Sequence, residues 1–369
     1  MTRRPGRPAA VEPFLRGCAW PAVAGVPYPR FDPRDRTRLP ADTWQCAAIP
    51  AGVRLELVGG AARLEIDYTT ATSDLGYRGE GAGTTFAVWR GGVAVDEQPA
   101  QHAAGPGAAS PPAPDHGVEA PGARTAPGPT GGPAGGVASV TVDLAPERGG
   151  TAVVYLPEGL RPEIVALRAL GGSVAPAPPG PRWLAYGDSL LEGWVASGPA
   201  RAWGAMAARD HGLDLVNLGY AGSARGEIPC AEAIAALAAD VISITHGTNC
   251  WTRTPHSAGM LREGTRAFLE IVRQGHPTTP VVLASPVLRP DAEATPNRLG
   301  ATLADLRAAM EEAAAERIAA GDANLVLIPG AGVISADQLA DGIHPGDDGH
   351  ATMAAVFGSA VAAAARRPR

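Results

Sequence analysis

The chain has 369 residues, of which 45% are apolar and 18% are charged. This supply of apolar side chains excludes global disorder, and the length suggests about two domains. The formal net charge is −6, and all 31 basic residues are arginines, with short clusters only at the two ends. A nucleic-acid-binding protein would carry a basic stripe, so no nucleic-acid partner is expected.

The sequence also predicts no metal site, no disulfide framework and no membrane partner. Its four cysteines are too few and too scattered for a disulfide framework or a zinc site. The longest apolar stretch, 351–365, is short for a membrane span and contains Gly358 and Ser359. Paired arginines near the start lack the apolar region of a signal peptide behind them. We therefore expect a cytoplasmic protein.

Residues 1–175 are predicted to form an all-β sandwich or jelly roll. Short segments alternate apolar and polar residues with period two, and turn residues bound them. Hardly any helical pattern occurs among them, which favours a sandwich. Proline, glycine and alanine dominate residues 100–136, which are predicted to be a long loop inserted between strands. The predicted strands are 53–58, 62–68, 85–89, 93–95, 138–144, 151–156 and 164–170.

Residues 182–366 show a different pattern, in which short apolar strands alternate with helices. A proline-rich stretch, 175–181, precedes them and is predicted to be a stiff linker. Alternating strands and helices indicate a parallel, doubly wound sheet, whose site lies outside the carboxyl ends of its strands. The predicted strands are 182–186, 213–218, 241–245, 280–285 and 324–328, and the predicted helices are 201–211, 227–239, 257–274, 297–320 and about 347–366.

Four polar blocks stand out in this second half, and three of them directly follow a predicted strand. Ser189 lies in Gly-Asp-Ser-Leu after the first strand, and Gly222 closes a glycine-rich block after the second. Asn249 ends His-Gly-Thr-Asn after the third strand. Asp341 and His344 lie on a loop before the final helix. The carboxyl ends of parallel strands share one edge of the sheet, so these blocks are expected to meet there.

Together the blocks contain the groups that acyl transfer requires. A serine hydroxyl such as that of Ser189 is a weak nucleophile until an imidazole takes its proton. His344 is the candidate base, and Asp341 could orient it. The N–H groups of Ser189 and Gly222 and the side-chain amide of Asn249 could form the oxyanion hole. Taken singly, each has a structural alternative, because a serine after a strand often caps a helix and loop carboxylates often bind local N–H groups.

In this order the four blocks resemble the SGNH family, also called GDSL hydrolases, whose letters correspond to Ser189, Gly222, Asn249 and His344. The resemblance covers about 182–366. It implies a flavodoxin-like, three-layer α/β/α domain with a Ser-His-Asp triad and no metal or organic cofactor. The family usually has an acidic residue where this chain has Cys250. This departure does not affect the implied role of Asn249, because its amide is the donor.

The first half looks similar to the carbohydrate-binding-module-like sandwich that some SGNH enzymes carry ahead of the catalytic domain. Family members with this layout include bacterial carbohydrate esterases and an acyltransferase of antibiotic biosynthesis. The resemblance implies acyl transfer from an activated donor such as acyl-CoA to a hydroxyl of a small natural product, for example an aromatic polyketide. The alternative is an esterase that hydrolyses carbohydrate or small-molecule esters. A third possibility is a binding protein, against which an intact triad argues.

Several further side chains close to the blocks could line a substrate pocket, since ligand sites combine aromatic walls with a few polar groups. For each one, a packed or solvated loop residue is the alternative. Asp188 is expected to hold the serine turn by hydrogen bonds, and His246 and His350 are expected to be structural. The acyl group, the acceptor and the oligomeric state are left open by the sequence. The candidate pocket residues are Trp194, Tyr220, Arg225, Trp251 and Arg289.

Overall fold

The computed structural model describes residues 10–71, 83–103, 136–252 and 254–366. Most of the predicted proline- and glycine-rich loop, 100–136, therefore lies outside the described residues. Within the described ranges, no helix has the length and apolarity that crossing a bilayer requires.

The first half consists of antiparallel strands, as its period-two pattern predicts. Six strands pair in one sheet, in the order β1-β2-β7-β4-β5 with β9 beside β2, and three pair in a second sheet, in the order β6-β3-β8. The alternation in β3 sends Leu64 and Ile66 into the apolar core of this half. The strands are β1 Leu15–Arg16, β2 Arg54–Gly59, β3 Arg63–Thr70, β4 Thr85–Arg90, β5 Val93–Pro99, β6 Ala138–Asp143, β7 Ala152–Tyr155, β8 Pro162–Leu170 and β9 Val174–Pro176.

The second half contains a five-stranded parallel sheet in the order β11-β10-β12-β13-β14. Numbered within this half, the order is 2-1-3-4-5, which is the flavodoxin-like arrangement, so the predicted fold class is confirmed. The strands are β10 Arg182–Gly187, β11 Asp214–Gly219, β12 Val241–Thr245, β13 Val281–Ala284 and β14 Leu325–Ile328. The helices of the whole chain are α1 Ala41–Ala47, α2 Ser189–Glu192, α3 Trp203–His211, α4 Ile228–Ala236, α5 Ala258–Gly275, α6 Leu303–Ala319, α7 Asp347–Met353 and α8 Ser359–Ala365.

Helices cover both faces of this parallel sheet. Helices α4, α5 and α6 pack on one face, where the rings of Tyr186 and Phe268 lie 4.9 Å apart between their centroids. Helices α3, α7 and α8 pack on the other, where the rings of Trp183 and Trp203 lie 5.7 Å apart. Near-continuous apolar strands are the expected result, because both faces of each strand are buried.

Two predicted elements differ in kind from the structure, and one helix was not predicted. The stretch 175–181 is only partly a linker, because Val174–Pro176 pairs with β2 and the Ala177 N–H donates to the Glu56 carbonyl at 3.1 Å. Proline is tolerated there because β9 is an edge strand. The final helix is interrupted by a π-helical turn at Ala354–Gly358. The short helix α1 carries no periodic apolar pattern long enough to predict it, and it was missed.

The two halves share packed side chains. Phe31, Cys46 and Ala47 lie between β1 and β2 in sequence but belong to the apolar core under α4 and α5. On the other side, Tyr155 of β7 packs against Ala205 of α3. The first half therefore packs closely on the second, and a division into domains at 1–175 and 182–366 stays a prediction.

Arg54 connects the halves through buried polar contacts. Its guanidinium pairs with Glu56 at 2.7 Å and with Asp214 at 3.2 Å, and it donates to the Leu215 carbonyl at 3.0 Å. Removing one partner of a buried ionic cluster leaves the remaining charges without compensation. Arg168 also pairs with two carboxylates, those of Glu65 and Asp67, but it is a quarter exposed.

We expect Arg54→Ala to lower the free energy of unfolding by about 3–5 kcal/mol, because Glu56 and Asp214 would keep their buried charges without the guanidinium. Urea denaturation followed by circular dichroism measures this change. Arg168→Ala is the control and should cost clearly less, because Arg168 is itself a quarter exposed and Asp67 keeps a hydrogen bond from the Ser139 hydroxyl. Equal losses for the two variants would contradict this account.

Candidate active site

Three of the four polar blocks follow strands that end side by side, at the same end of the parallel sheet. In the strand register, Gly187 of β10 lies opposite Gly219 of β11 and opposite Thr245 of β12. The blocks containing Ser189, Gly222 and Asn249 begin within a few residues of these positions. Because β10 lies between β11 and β12, the serine block lies between the other two.

Ser189 is the first residue of α2, and Asp188 is its N-cap. The Asp188 carboxylate accepts a hydrogen bond from the Leu190 N–H at 3.1 Å. The first N–H groups of a helix have no partner within the helix, so the Ser189 N–H can serve another acceptor. Gly193, with φ of +89°, ends α2 after a single turn.

The loop before α7 brings His344 to the serine. His344 Nε2 lies 3.0 Å from Ser189 Oγ, and Nδ1 lies 2.7 Å from Asp341 Oδ2. The other carboxylate oxygen, Oδ1, accepts the N–H groups of Ile343 at 2.9 Å and His344 at 2.6 Å. A continuous chain of hydrogen bonds therefore runs from the serine hydroxyl through the imidazole to the carboxylate.

The same contacts set the ionisation of Asp341. Partial burial alone would raise its pKa, but the hydrogen bond and charge of His344, with the two backbone N–H donors, outweigh burial and lower the pKa to about 2. Asp341 is therefore a carboxylate at any ordinary pH. It can accept the Nδ1 proton of His344, which leaves Nε2 facing the serine as the acceptor.

Gly222 and Asn249 lie on the loops at either side of Ser189. Gly222 has φ of +68°, a left-handed conformation in which a side chain would be strained. Asn249 is buried and donates from Nδ2 to the Ala224 carbonyl at 3.2 Å, which joins the third block to the second. Its amide nitrogen carries two hydrogens, so this bond leaves a second donor.

Trp194 lies beside His344. The centroids of its indole and of the His344 ring are 5.9 Å apart. The next residue, Val195, has φ of +66°, which is strained for a β-branched side chain. His350, buried in α7, contacts the Trp194 carbonyl through Nε2 at 3.4 Å and accepts the Trp203 N–H at Nδ1. Trp194 is thus the aromatic side chain that borders the imidazole.

The other candidate pocket residues have different surroundings. Tyr220 is buried in the core, and its hydroxyl donates to the Arg30 carbonyl at 2.6 Å, so its place in a substrate pocket stays a prediction. Arg225 pairs with Asp42 and donates to the Gly222 carbonyl at 3.2 Å. Arg225 therefore braces the loop that carries Gly222.

Trp251 and Arg289 form a separate pair. The Arg289 guanidinium lies 5.0 Å from the centroid of the Trp251 ring and binds Asp291 at 2.9 Å. The indole N–H of Trp251 donates to the Thr295 carbonyl at 2.8 Å. These bonds hold the two side chains together on the loops that follow β12 and β13.

Two buried residues that the sequence analysis did not single out lie beneath the Gly222 loop. Glu192 is at the end of α2, three residues after Ser189, and Arg30 comes from the first half. The sequence could have pointed to Glu192, because it lies on the same short helix as Ser189. No sequence feature points to Arg30, because its partners are mainly backbone carbonyl groups.

His246 lies behind the site and is packed between rings, at 5.4 Å from that of Tyr186 and 6.0 Å from that of Phe268. Burial lowers the pKa of His246 to about 3, so its imidazole stays neutral. Within the described ranges, no group of three or more histidine, cysteine, aspartate or glutamate side chains could hold a metal ion.

Residues 185–352 match the model of the GDSL-like lipase/acylhydrolase family. This match contains all four blocks and confirms the resemblance seen in the sequence. Residues 185–352 therefore form a domain of this family, which makes the protein an enzyme. No curated protein sequence matches the chain significantly.

Solved structures resemble the chain over both halves. A salicylyl-acyltransferase, SsfX3, from a tetracycline biosynthetic pathway is 24% identical, with a TM-score of 0.72 over 93% of this chain and 92% of that one. A putative GDSL-like lipase from Bacteroides ovatus is 19% identical, with a TM-score of 0.69 over 97% of each chain. A family two carbohydrate esterase from Clostridium thermocellum is 12% identical, with a TM-score of 0.54 over 84% of this chain and 90% of that one. These likenesses establish the shared fold.

Asp188 should make the stability of the protein depend on pH. Burial raises its pKa to about 6, against the opposing effects of the Leu190 N–H, His344 and Thr248. In the unfolded chain its pKa is about 3.9. The folded state therefore binds the proton more tightly, and stability falls as pH rises from about 4 to about 6, by on the order of 2–3 kcal/mol.

We expect Asp188→Asn, which keeps a good N-cap, to lack this loss. The melting temperature of the variant should rise relative to that of the wild type between pH 4 and pH 7, as measured by differential scanning calorimetry. Asp348→Asn, at an exposed position in the first turn of α7, is the control and should show no such trend. If the melting temperatures of Asp188→Asn and the wild type differ by the same amount at every pH in this range, the raised pKa of Asp188 is refuted.

Proposed function

We propose that this GDSL-family enzyme transfers an acyl group through an acyl-enzyme on Ser189, from an acyl-CoA to a hydroxyl of a small natural product such as an aromatic polyketide. The observation that carries the proposal is the hydrogen-bond chain from Ser189 Oγ through His344 to Asp341. A base within 3.0 Å of a serine hydroxyl, itself oriented by a carboxylate, is the arrangement that activates a serine nucleophile.

In the first half-reaction Ser189 Oγ attacks the thioester carbonyl while His344 Nε2 takes the hydroxyl proton. The oxyanion that forms accepts hydrogen bonds from the N–H groups of Ser189 and Gly222 and from the Asn249 amide. The intermediate then collapses, the carbon–sulfur bond breaks, and His344 returns the proton to the leaving thiolate. The products of this step are the Ser189 ester and free coenzyme A.

In the second half-reaction the acceptor hydroxyl takes the place of the thiol. His344 removes its proton, the alkoxide oxygen attacks the ester carbonyl of Ser189, and the serine leaves with the proton that His344 held. Asp341 stabilises the imidazolium during both steps because it is a carboxylate throughout. Acyl-CoA is thus a co-substrate, and no cofactor is consumed.

Two features support transfer to a bulky, aromatic acceptor. Trp194 provides a flat apolar surface beside the base, where an aromatic acceptor could stack with its hydroxyl near His344 Nε2. The salicylyl-acyltransferase with the same fold resembles this chain along both halves, including the sandwich strands. A bound hydroxyl competes with water through its high effective concentration at the ester.

The second candidate function is hydrolysis of carbohydrate or small-molecule esters. It uses the same serine, histidine and aspartate, with water in place of the acceptor. The likeness to a family two carbohydrate esterase supports it. We propose for the first half, 1–175, a carbohydrate-binding-module-like role in either case, as an accessory domain that contacts the acceptor.

The test of the chemistry uses purified protein, an aromatic or short-chain acyl-CoA and a panel of polyketide and sugar alcohols, with products identified by mass spectrometry. We expect a new ester with the wild type and none with Ser189→Ala, which lacks the nucleophile. Ser359→Ala, an exposed serine on α8, is the control and should retain activity.

The outcomes of this assay separate the two functions. A Ser189-dependent ester establishes transfer and identifies the acceptor class. Free acid alone, whatever alcohol is offered, establishes the esterase. Turnover that survives in Ser189→Ala rules out Ser189 as the nucleophile and with it both mechanisms.

Asn249→Ala should lower kcat by roughly 10²–10³ with little change in KM, because an oxyanion donor acts mainly in the transition state. Steady-state kinetics on the substrate identified above measure both constants. Asn324→Ala, at the opposite edge of the sheet just before β14, should leave kcat unchanged. If kcat of Asn249→Ala equals that of the wild type, the amide is not an oxyanion donor.

A further inference from the structure

Beneath the Gly222 loop lies a buried ion pair between the two halves of the chain. Arg30 Nη2 and Glu192 Oε2 are 3.5 Å apart, and both side chains are at most 1% exposed. Charges so deeply buried cost several kcal/mol each to desolvate unless neighbouring groups compensate them. The contacts of this pair therefore indicate what it holds in place.

Glu192 links the two loops that supply backbone donors. Its Oε2 accepts the N–H of Ala221 at 2.8 Å, and Ala221 directly precedes Gly222. Glu192 also ends the single helical turn that begins at Ser189. One carboxylate therefore fixes the Gly222 loop relative to the serine helix.

Arg30 holds the end of β11, from which the same loop starts. Its guanidinium donates to the carbonyl groups of Asn217, at 3.2 Å, and of Gly219 in the second half. It also donates to those of Ile49, at 2.5 Å, and of Cys46, at 2.7 Å, in the first half. The planar, five-donor guanidinium suits this task, and no other side chain could serve four carbonyls at once.

Two more contacts with the first half bind the loop itself. The Tyr220 hydroxyl donates to the Arg30 carbonyl at 2.6 Å, and Cys46 Sγ lies 3.2 Å from the Ala221 carbonyl. The segment immediately before Gly222 is thus held at its side chains, its N–H groups and its carbonyls. These contacts end next to Gly222, whose N–H is a proposed oxyanion donor.

We propose that Arg30 and Glu192 are positioning residues, which hold the Gly222 N–H where it can donate to the same oxyanion as the Ser189 N–H. The first half of the chain, through Arg30, thereby completes the oxyanion hole of the second half. The proposal rests on the proposed function, because it assigns these contacts a purpose in acyl transfer. Oxyanion donors must lie within hydrogen-bond reach of the developing charge, and a misplacement of about 1 Å can cost about 10²-fold in rate.

The test uses the full chain in three single variants, which are Arg30→Met, Glu192→Gln and Tyr220→Phe. Two readouts suit an enzyme whose natural substrate is unidentified. One is steady-state hydrolysis of p-nitrophenyl acetate. The other is the rate at which a fluorophosphonate probe labels Ser189, because this reaction also develops negative charge on an oxygen near the hydroxyl.

We expect Arg30→Met and Glu192→Gln to lower kcat and the labelling rate by about 10–100-fold, with KM within about twofold. The double variant should be little worse than either single one, because both act through the same loop. Tyr220→Phe removes only a hydroxyl and should fold in any case. It should lower both rates several-fold.

Arg273→Met is the matched control. Arg273 is also a buried arginine, which binds Asp322 at 2.7 Å and the carbonyls of His276 and Thr279, but at the amino edge of the parallel sheet. It should reduce the melting temperature without changing kcat or the labelling rate of the folded protein. A purely structural role for Arg30 and Glu192 predicts that their variants behave like this control.

The possible results separate this inference from the proposed function. If the probe does not label Ser189 in the wild type, the proposed function fails. If Ser189 is labelled in the wild type, while the folded variants keep its kcat and labelling rate, the positioning role is overturned and the acyl-enzyme mechanism stands. If Arg30→Met and Glu192→Gln do not fold, wild-type rates in Tyr220→Phe overturn the inference.

Discussion

Strands β11, β10 and β12 run parallel and in register up to Gly219, Gly187 and Thr245, and each of the three blocks that follow starts from this common level. Parallel pairing forces all carboxyl ends to one edge, so residues far apart in sequence emerge as neighbours. Glycine at two of these ends lets the chains turn closely; a Cβ on Gly219 would lie 2.7 Å from the Glu192 nitrogen. The geometry of the site follows from this shared edge.

Buried charged side chains then fix the positions of the loops around the site. The Asp341 carboxylate accepts hydrogen bonds from His344 Nδ1 across 2.7 Å and from two backbone N–H groups. Arg30 and Glu192 are compensated mainly by the backbone of the loop they hold. Such groups are costly when unpaired, so each arrangement is stable in only one geometry, and this rigidity is what preorganised oxyanion donors require.

Much of this could be predicted from the sequence because the decisive signals are local. Ser189 and Asn249 lie in short blocks after predicted strands, and His344 lies in one before the final helix. Period-two strands indicated the antiparallel sheets, and the alternation of strands with helices indicated the parallel one. The misses involve partners without a sequence signature. Arg30 binds carbonyl groups, which every residue has, and Val174–Pro176 became a strand only because β2 offered a free edge. The burial of Tyr220 could not be predicted either, because sequence distance to Gly222 does not reveal the direction of a side chain.

The close packing of the two halves bears on the choice between transfer and hydrolysis. A hydrolase needs only a site that admits water, whereas a transferase must hold a second substrate long enough to outcompete water. Residues of the first half lie under the Gly222 loop and beside Arg225, through Asp42, so that half contributes to the surroundings of the site. These contacts join the first half to the loop of Gly222, a proposed oxyanion donor, so the proposed transferase activity would require both halves of the chain.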